Sequence, residues 1–570
     1  MSRKYAIFAL SAIALSACGG SGSSTSNQGG TSSAPPFSSE SSIFDPFGPI
    51  GGDSEEDKDE VELEDNADPY ALKEVDKNGS LSYEIFPRSF FDGDGSEDGI
   101  GDLKGITQKV GYLKSLGVGR VWLMPINPSP SYHGYDVTNY YDIAYDYGNM
   151  ADFENMMKAF QEAGIEVMLD LVINHTSKEH SWFKQSAIDF QQGKTGKGSK
   201  ADWYMWSSEY RGGTYKQYGS TGCYYECDFG ADMPDLNLDN EEVRAEIVSI
   251  MKFWLSKGVK GFRLDAVKYY YNTVVASNIS FCDFLKDSLK DSYPTAEFVG
   301  EAYEDVETSF YPYWKSKLDS FFSFPTSITG MGKATIITTA KGFASGDDFS
   351  SQIASEEKKI KENGSSHYSS YFLSNHDQNR PAGLSLDGYS AKLASSLAYL
   401  LPGTPYMYYG EEIGLKGVRG NEPTDVMRRL PMIWDKNNKE GETLCPDPSY
   451  DSEYEKFDQV KEGVMDLLKD KTSLLRHYQK VANVRNRISF FKEATYEAVK
   501  TNVHDLLAYK ISNGVKSYLI ITNIGAYSRL FTLPSGVKGI FDSIDTACKK
   551  PVIKDGKLGL GAYSTAVLSL

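Results

Sequence analysis

The chain has 570 residues, 40% of them hydrophobic and 13% aromatic, and its 59 Lys+Arg against 78 Asp+Glu leave a net charge of −19. That acidity excludes ordinary nucleic-acid binding, which needs clustered basic side chains to displace counterions from phosphates, and six cysteines over this length exclude a disulfide scaffold. What remains is a large acidic globular protein, an enzyme or a binder of uncharged ligands, built as three or four units or as one large barrel with additions.

Arg3 and Lys4 precede an apolar run from Tyr5 to Ala14, followed by Leu15-Ser-Ala-Cys18. Positive residues, a short apolar stretch and small residues make a secretory signal over residues 1–17, and the run is too short to span a bilayer comfortably. Leu-Ser-Ala-Cys resembles the bacterial lipobox, which implies lipidation of Cys18 and anchoring to a membrane outside the cytoplasm, at the cell envelope. Residues 18–78 are rich in Gly, Ser and acid; residues 1–78 hold 5 Lys+Arg and 14 Asp+Glu, net −9 of the −19. Such a segment cannot bury enough apolar surface to offset its ordering entropy and reads as a flexible tether.

From Ser82 onward short apolar strands alternate with helical patterns. Gly119–Met124, Glu166–Val172, Val259–Leu264 and Glu297–Gly300 read as strands, and Phe153–Ala163 and Val243–Leu255 as helices preceding two of them. Buried parallel strands joined by helices imply an α/β barrel or a doubly wound sheet. Polar residues close several of these strands: Asp170, Asn174 and His175 one, Arg263 and Asp265 another, Glu301 a third, His376 and Asp377 a fourth. A barrel directs all its strand ends to one rim, whereas a Rossmann sheet calls for a Gly-rich phosphate turn that is missing here. The expectation is a (β/α)8 TIM barrel over residues 79–175 and 241–480. A small domain rich in Trp, Tyr, Gly and Ser is inserted after strand 3 at residues 176–240, and residues 481–570 form a C-terminal antiparallel β-sandwich. Cys223 and Cys227 lie in one loop-like part of the insert, close enough in sequence to pair in an oxidising compartment.

Four segments occur in order: Asp170-Leu-Val-Ile-Asn-His175, Gly261-Phe-Arg-Leu-Asp-Ala-Val-Lys268, Val299-Gly-Glu-Ala302 and Phe372-Leu-Ser-Asn-His-Asp377. With His133-Gly-Tyr-Asp136 and Gly403-Thr-Pro-Tyr-Met-Tyr-Tyr-Gly410 they resemble the motifs of the α-amylase superfamily, glycoside hydrolase family 13. The resemblance covers the chain from about residue 80 and implies a retaining glycoside hydrolase, in which one carboxylate attacks the anomeric carbon and one carboxylic acid protonates the leaving oxygen. It assigns Asp265 as nucleophile, Glu301 as acid/base and Asp377 as the acid that grips sugar hydroxyls. Arg263 lies two residues before Asp265, hence on the same face of a strand, where a guanidinium keeps the nucleophile ionised. His133, Tyr135, His175, Lys268, His376 and Arg380 complete the substrate-binding set that the resemblance implies.

The loop Asp94-Gly-Ser-Glu-Asp-Gly-Ile-Gly-Asp102 spaces oxygen-bearing side chains between glycines, a pattern suited to wrapping a hard cation. By the same resemblance Asp94, Ser96, Asp98, the Ile100 carbonyl and Asp102 would hold calcium or magnesium. Asn174 matches a ligand of a second calcium site of the family, where Tyr269 stands in place of a usual His. Met233-Pro-Asp-Leu-Asn237 resembles the motif of a group intermediate between oligo-1,6-glucosidases and neopullulanases, several of whose members are secreted or lipid-anchored amylases. Tyr132, three residues before Tyr135, occupies the place of the Asp with which exo-acting glucosidases grip a chain end. The expectation is therefore a monomeric, lipid-anchored endo-acting α-1,4-glucan hydrolase acting on starch and maltodextrins. An α-glucosidase, neopullulanase or glucanotransferase of the same family, or a non-catalytic glucan-binding protein, are the alternatives.

Overall fold

The computed structural model describes residues 63–570 apart from 76–78, 97, 305, 328–333, 365, 385, 387, 420–424, 451–459 and 461. The expected signal segment, Cys18 and most of the tether lie outside the described residues.

Ten short strands precede the C-terminal region: β1 (Ser82–Ile85), β2 (Arg120–Leu123), β3 (Glu166–Leu171), β4 (Trp206–Ser207), β5 (Tyr215–Gln217), β6 (Tyr224–Glu226), β7 (Gly261–Leu264), β8 (Glu297–Gly300), β9 (Ser320–Phe321) and β10 (Tyr406–Tyr408). Seven of them pair in parallel in the order β10-β1-β2-β3-β7-β8-β9. Parallel bridges Phe322↔Ser370 and Phe372↔Tyr406 carry the sheet from β9 through residues 370–372 back to β10, closing an eight-membered (β/α)8 ring.

Side-chain alternation along each strand builds the layers. In β3, Val167, Leu169 and Leu171 pack outward with the helices, while Met168 joins Trp122, Val299, Phe322, Phe372 and Tyr406 as a plug inside the barrel. The same parity places Glu84, Asp170, Arg263 and Glu301 one layer higher, at the C-terminal rim. The helix Met150–Ala163 shows how the outer shell forms. Asn149 caps it in a capping box with Asp152; Phe153, Met156 and Phe160 recur on one buried stripe; and Gly164 ends it in the left-handed conformation at φ 73°. Those three burials stabilise the helix by roughly 1.5–3 kcal/mol each.

The insert after β3 contains the helix Ser181–Gln191 and a small antiparallel sheet in the order β4-β6-β5. The bridge His175↔Asp235 ties it to the segment that follows β3, and Tyr204↔Leu236 closes it internally. Cys223 and Cys227, which could have paired, do not: all five described cysteines are free thiols. The two flank β6, and an extended run of four residues separates its ends by about 13 Å, beyond disulfide reach.

The C-terminal region contains β11 (Thr495–Val499), β12 (Leu506–Ser512), β13 (Ser517–Asn523), β14 (Arg529–Thr532), β15 (Gly539–Ile544), β16 (Val552–Lys554), β17 (Lys557–Leu560) and β18 (Thr565–Ser569). They form a five-stranded sheet β11-β12-β13-β18-β15 and a three-stranded sheet β14-β17-β16. In β12, Leu506 and Ala508 face the core shared by the two sheets. Leu507, Tyr509 and Ile511 face the other way, into the main core, where the Tyr509 hydroxyl donates to the Leu400 carbonyl at 2.5 Å.

Two boundaries differ from expectation. The tether does not run to residue 78: Asp65 bridges Lys549, Asn66 Nδ2 donates to Asp545 at 2.6 Å, and Tyr70 is buried edge-on to His477. One aromatic anchor with satisfied backbone groups outweighs a composition that reads as disordered. The division at 480/481 falls inside the helix Leu474–Asn486, whose buried Val481, Ala482 and Val484 belong to the main core; the sheet begins at Thr495.

Candidate active site

Strand parity brings the site together at the barrel rim. Arg263 on β7 is fully buried, and its guanidinium holds three carboxylates at once. Nη1 lies 2.7 Å from Asp265 Oδ1 and 2.9 Å from Asp170 Oδ1, and Nη2 lies 2.9 Å from Glu301 Oε2. One guanidinium thus links Asp265 and Glu301 through its two terminal nitrogens. Ala266, just after Asp265, adopts φ 53°, a strained conformation for a residue with a side chain. This turn lets its N–H donate to Glu301 Oε2 at 3.0 Å.

The electrostatics single out Glu301. Burial pushes Glu301 up to about 7, with Asp265 and Asp377 adding to the rise and Arg263 opposing it. Glu301 is thereby protonated near neutral pH, as a general acid must be. Burial likewise raises Asp170 to about 6 against the pull of Arg263.

Asp377 is 31% exposed at the cleft and is clamped by Arg429 Nη2 at 2.8 Å and His376 Nε2 at 3.1 Å. Its pKa is held far below the usual range: burial raises it, but the His376 and Arg429 charges prevail. His376 is stacked on Tyr135 with ring centroids 5.4 Å apart, and the Tyr135 hydroxyl is 2.7 Å from its Nε2. His133 lies beside Tyr135 and accepts from its N–H at 3.1 Å; burial and Arg429 bring its pKa down to about 4. His175 is buried at the end of β3, its ring 5.1 Å from Phe229 of the insert. Lys268 sits at the rim in an ion pair with Glu304 at 2.9 Å.

Arg380 does not join this group. It is fully buried with its guanidinium over Tyr408 and Tyr409 at 4.1 and 4.7 Å, and it donates to the Arg428 and Tyr409 carbonyls. The expected role of Arg380 in substrate binding is thus corrected. Three residues beyond Asp377 the chain has turned into the wall, and Arg429, far away in sequence, supplies the cation. Arg429 lies outside every motif read above, although it and its neighbour Arg428 both reach Asp425 in a charged cluster. Glu84 was also missed, although its place on the inward face of β1 follows from alternation once β1 is recognised.

At the acidic loop the structure brings Asp92 up to Asp94 and Asp102 of the expected set. Carboxylate oxygens of Asp92, Asp94 and Asp102 lie within 4.8 Å of one another, and Asp92 was not anticipated. Asp102 also caps the helix Leu103–Gln108 through the Gly105 N–H and accepts from the Gly93 N–H at 2.7 Å. Asp94 accepts from the Ser96 N–H and Asp98 from the Ile100 N–H, so these two stabilise the turn. Burial and the neighbouring carboxylates raise Asp92 and Asp102. Three crowded hard oxygen donors fit a cation such as calcium. Asn174 is buried with its Nδ2 3.3 Å from Asp235 Oδ1.

The family model for the alpha amylase catalytic domain matches residues 84–494. "Alpha-amylase 3" of Dictyoglomus thermophilum is 35% identical over 497 residues, covering 86% of this chain and 93% of its own length. An oligo-1,6-glucosidase of Parageobacillus thermoglucosidasius is 29% identical, covering 80% of this chain and 92% of its own. The solved structure of Eubacterium rectale Amy13B superposes with a TM-score of 0.81 at 32% identity, over 89% of this chain and 99% of that one. With six motifs in order, a closed barrel and the carboxylates gathered on one arginine, this chain belongs to the α-amylase superfamily of glycoside hydrolases.

Proposed function

We infer that the protein is a retaining, endo-acting α-1,4-glucan hydrolase that degrades starch and maltooligosaccharides. The observation carrying the chemistry is the single Arg263 guanidinium shared by Asp265 and Glu301. Glu301 protonates the glycosidic oxygen as Asp265 attacks the anomeric carbon from the opposite side, giving a β-glucosyl ester and releasing the leaving sugar. Glu301, now ionised, takes a proton from water, whose oxygen displaces Asp265 and restores the α configuration. Asp377, kept anionic by His376 and Arg429, binds sugar hydroxyls in the ring-distorted transition state, and Tyr135 offers an aromatic face beneath the sugar.

The endo assignment rests on Tyr132, which stands where exo-acting relatives carry an acid for gripping a chain end; here Arg429 lies 5.9 Å from its ring. Calcium or magnesium belongs in this reading to Asp92, Asp94 and Asp102, holding the loop that leads into the first helix. A lipid on Cys18 would keep the enzyme at the cell envelope. A time course on reduced maltoheptaose, pullulan and panose tests the assignment. Mixed maltooligosaccharides from the earliest points are expected; glucose alone from the start would make the enzyme an α-glucosidase, and products longer than the substrate a glucanotransferase.

A further inference from the structure

A second buried ion pair lies directly behind the catalytic layer. Glu84 Oε1, from β1, is 2.6 Å from His376 Nδ1, and both side chains are only 1% exposed. The far ring nitrogen, Nε2, meets the Tyr135 hydroxyl at 2.7 Å and Asp377 at 3.1 Å. Tyr135 has one hydroxyl hydrogen, which it donates to Asp170 Oδ2 at 2.9 Å. Its oxygen therefore accepts from His376, so Nε2 carries a hydrogen; a carboxylate at Glu84 requires another on Nδ1. His376 thus donates both ways, to Glu84 and to Tyr135, and Tyr135 donates on to Asp170, which also accepts from Arg263, the arginine that holds Asp265 and Glu301.

We propose that Glu84 is a positioning residue for the hydrolytic reaction: by accepting the Nδ1 hydrogen it holds His376 doubly protonated, which aims a charged Nε2–H at Asp377 and the Tyr135 oxygen. Glu84 touches no substrate and acts only through His376. Groups facing the imidazole from the surrounding elements fit a cation. Besides Glu84 they are Asp377 on its own segment, Asp170 on β3, Tyr135 after β2 and the Trp122 ring 5.6 Å away on β2. Arg429 donates Nε to the His376 carbonyl and has its charge matched by Asp377. Burial alone would depress the His376 pKa, but Asp377 and Glu84 hold it up at about 10. His133, His175, His180, His367 and His477 are all lowered by burial.

The inference rests on the hydrolase reading but is tested separately from it. In Glu84→Gln the amide oxygen still accepts from Nδ1, so the ring stays in place while the charge is lost. If His376 then returns to an ordinary value near 6.5, about one molecule in eleven keeps the second proton at pH 7.5 and nearly all keep it at pH 5.5. The wild-type to E84Q ratio of kcat/KM is expected to be about tenfold at pH 7.5 and to close to within about twofold at pH 5.5. A ratio constant across pH would reduce Glu84 to a packing role and overturn the proposal. Should E84Q fail to fold, neutron diffraction from wild-type crystals at pH 8 decides: hydrogen on both ring nitrogens of His376 supports the assignment, and one bare nitrogen refutes it whatever the substrate proves to be.

Discussion

Replacing Glu301 with Gln should abolish turnover and at the same time stabilise the folded chain, by an amount that depends on pH. Oε2 of Glu301 accepts both Arg263 Nη2 and the Ala266 N–H, and a Gln carbonyl oxygen can accept both in the same place. What Gln removes is the ionisable proton. Glu301 is held at about 7 in the fold against an ordinary 4.5. Because its folded pKa is the higher, the folded state keeps this proton after the unfolded chain has lost it. Glu301 therefore leaves stability intact below about pH 4.5, erodes it through the window up to about 7, and exacts the full penalty above that. At about 1.4 kcal/mol per pH unit the displacement amounts to about 3 kcal/mol. Chemical denaturation of both proteins from pH 4 to 8 should show matching stabilities at the acid end and a variant more stable by up to about 3 kcal/mol at pH 8. Loss of the general acid should lower kcat by about 10²–10⁴-fold. A stability difference that does not change with pH, or retained activity, would refute the assignment of Glu301 as the protonated acid.

Three further outcomes follow from the same geometry. Arg263→Lys replaces a fork by a point charge that cannot hold Asp170, Asp265 and Glu301 together; kcat/KM should fall by at least about 100-fold and stability by roughly 3 kcal/mol, and a variant retaining a tenth of wild-type activity would contradict the shared-arginine geometry. Arg380→Ala should lower folding stability by about 2–4 kcal/mol through lost hydrogen bonds and lost packing on Tyr408 and Tyr409, seen as a lower melting temperature, with KM for maltooligosaccharides unchanged; a tenfold rise in KM would return Arg380 to the cleft. Chelation should lower the melting temperature of the wild-type protein, calcium should restore it, and Asp92→Asn should blunt both effects; equal melting curves with chelator and with calcium would remove the metal from the loop.

How much of this was legible beforehand varies from residue to residue. Asp265 and Glu301 were readable from the motif resemblance together with their places at or just beyond strand ends, and Arg263 because a period of two puts it on the face of Asp265. Asp377 was readable as part of an ordered set of motifs, but the cation that clamps it was not, and Arg380, three residues downstream, was expected to bind substrate. Side-chain direction after a strand end depends on the path of the loop, which carries no simple period. Arg429 arrives 52 residues later, and nothing local marks it as a partner of Asp377. The acidic loop was recognisable by its alternating oxygens, yet Asp92 lies just before the repeat and enters the cluster only because the turn folds back. Tyr70 was lost in a segment judged by average composition, since one buried ring scarcely changes such an average.

By itself the sequence determined the barrel class, through the alternation of strands and helices, and it carried the ordered motifs whose resemblance to a known family implies the catalytic acids and their chemistry. Only the tertiary structure decided which charges neutralise which. It set Asp170 and Glu301 beside Asp265 on Arg263, Arg429 against Asp377, and Glu84 behind His376. Those added pairings join residues tens to hundreds of positions apart, and their strength depends on burial, which raises Glu301 into the working range of a general acid. Local patterning specifies which face a side chain occupies; distance and dielectric across the barrel rim specify what it does there.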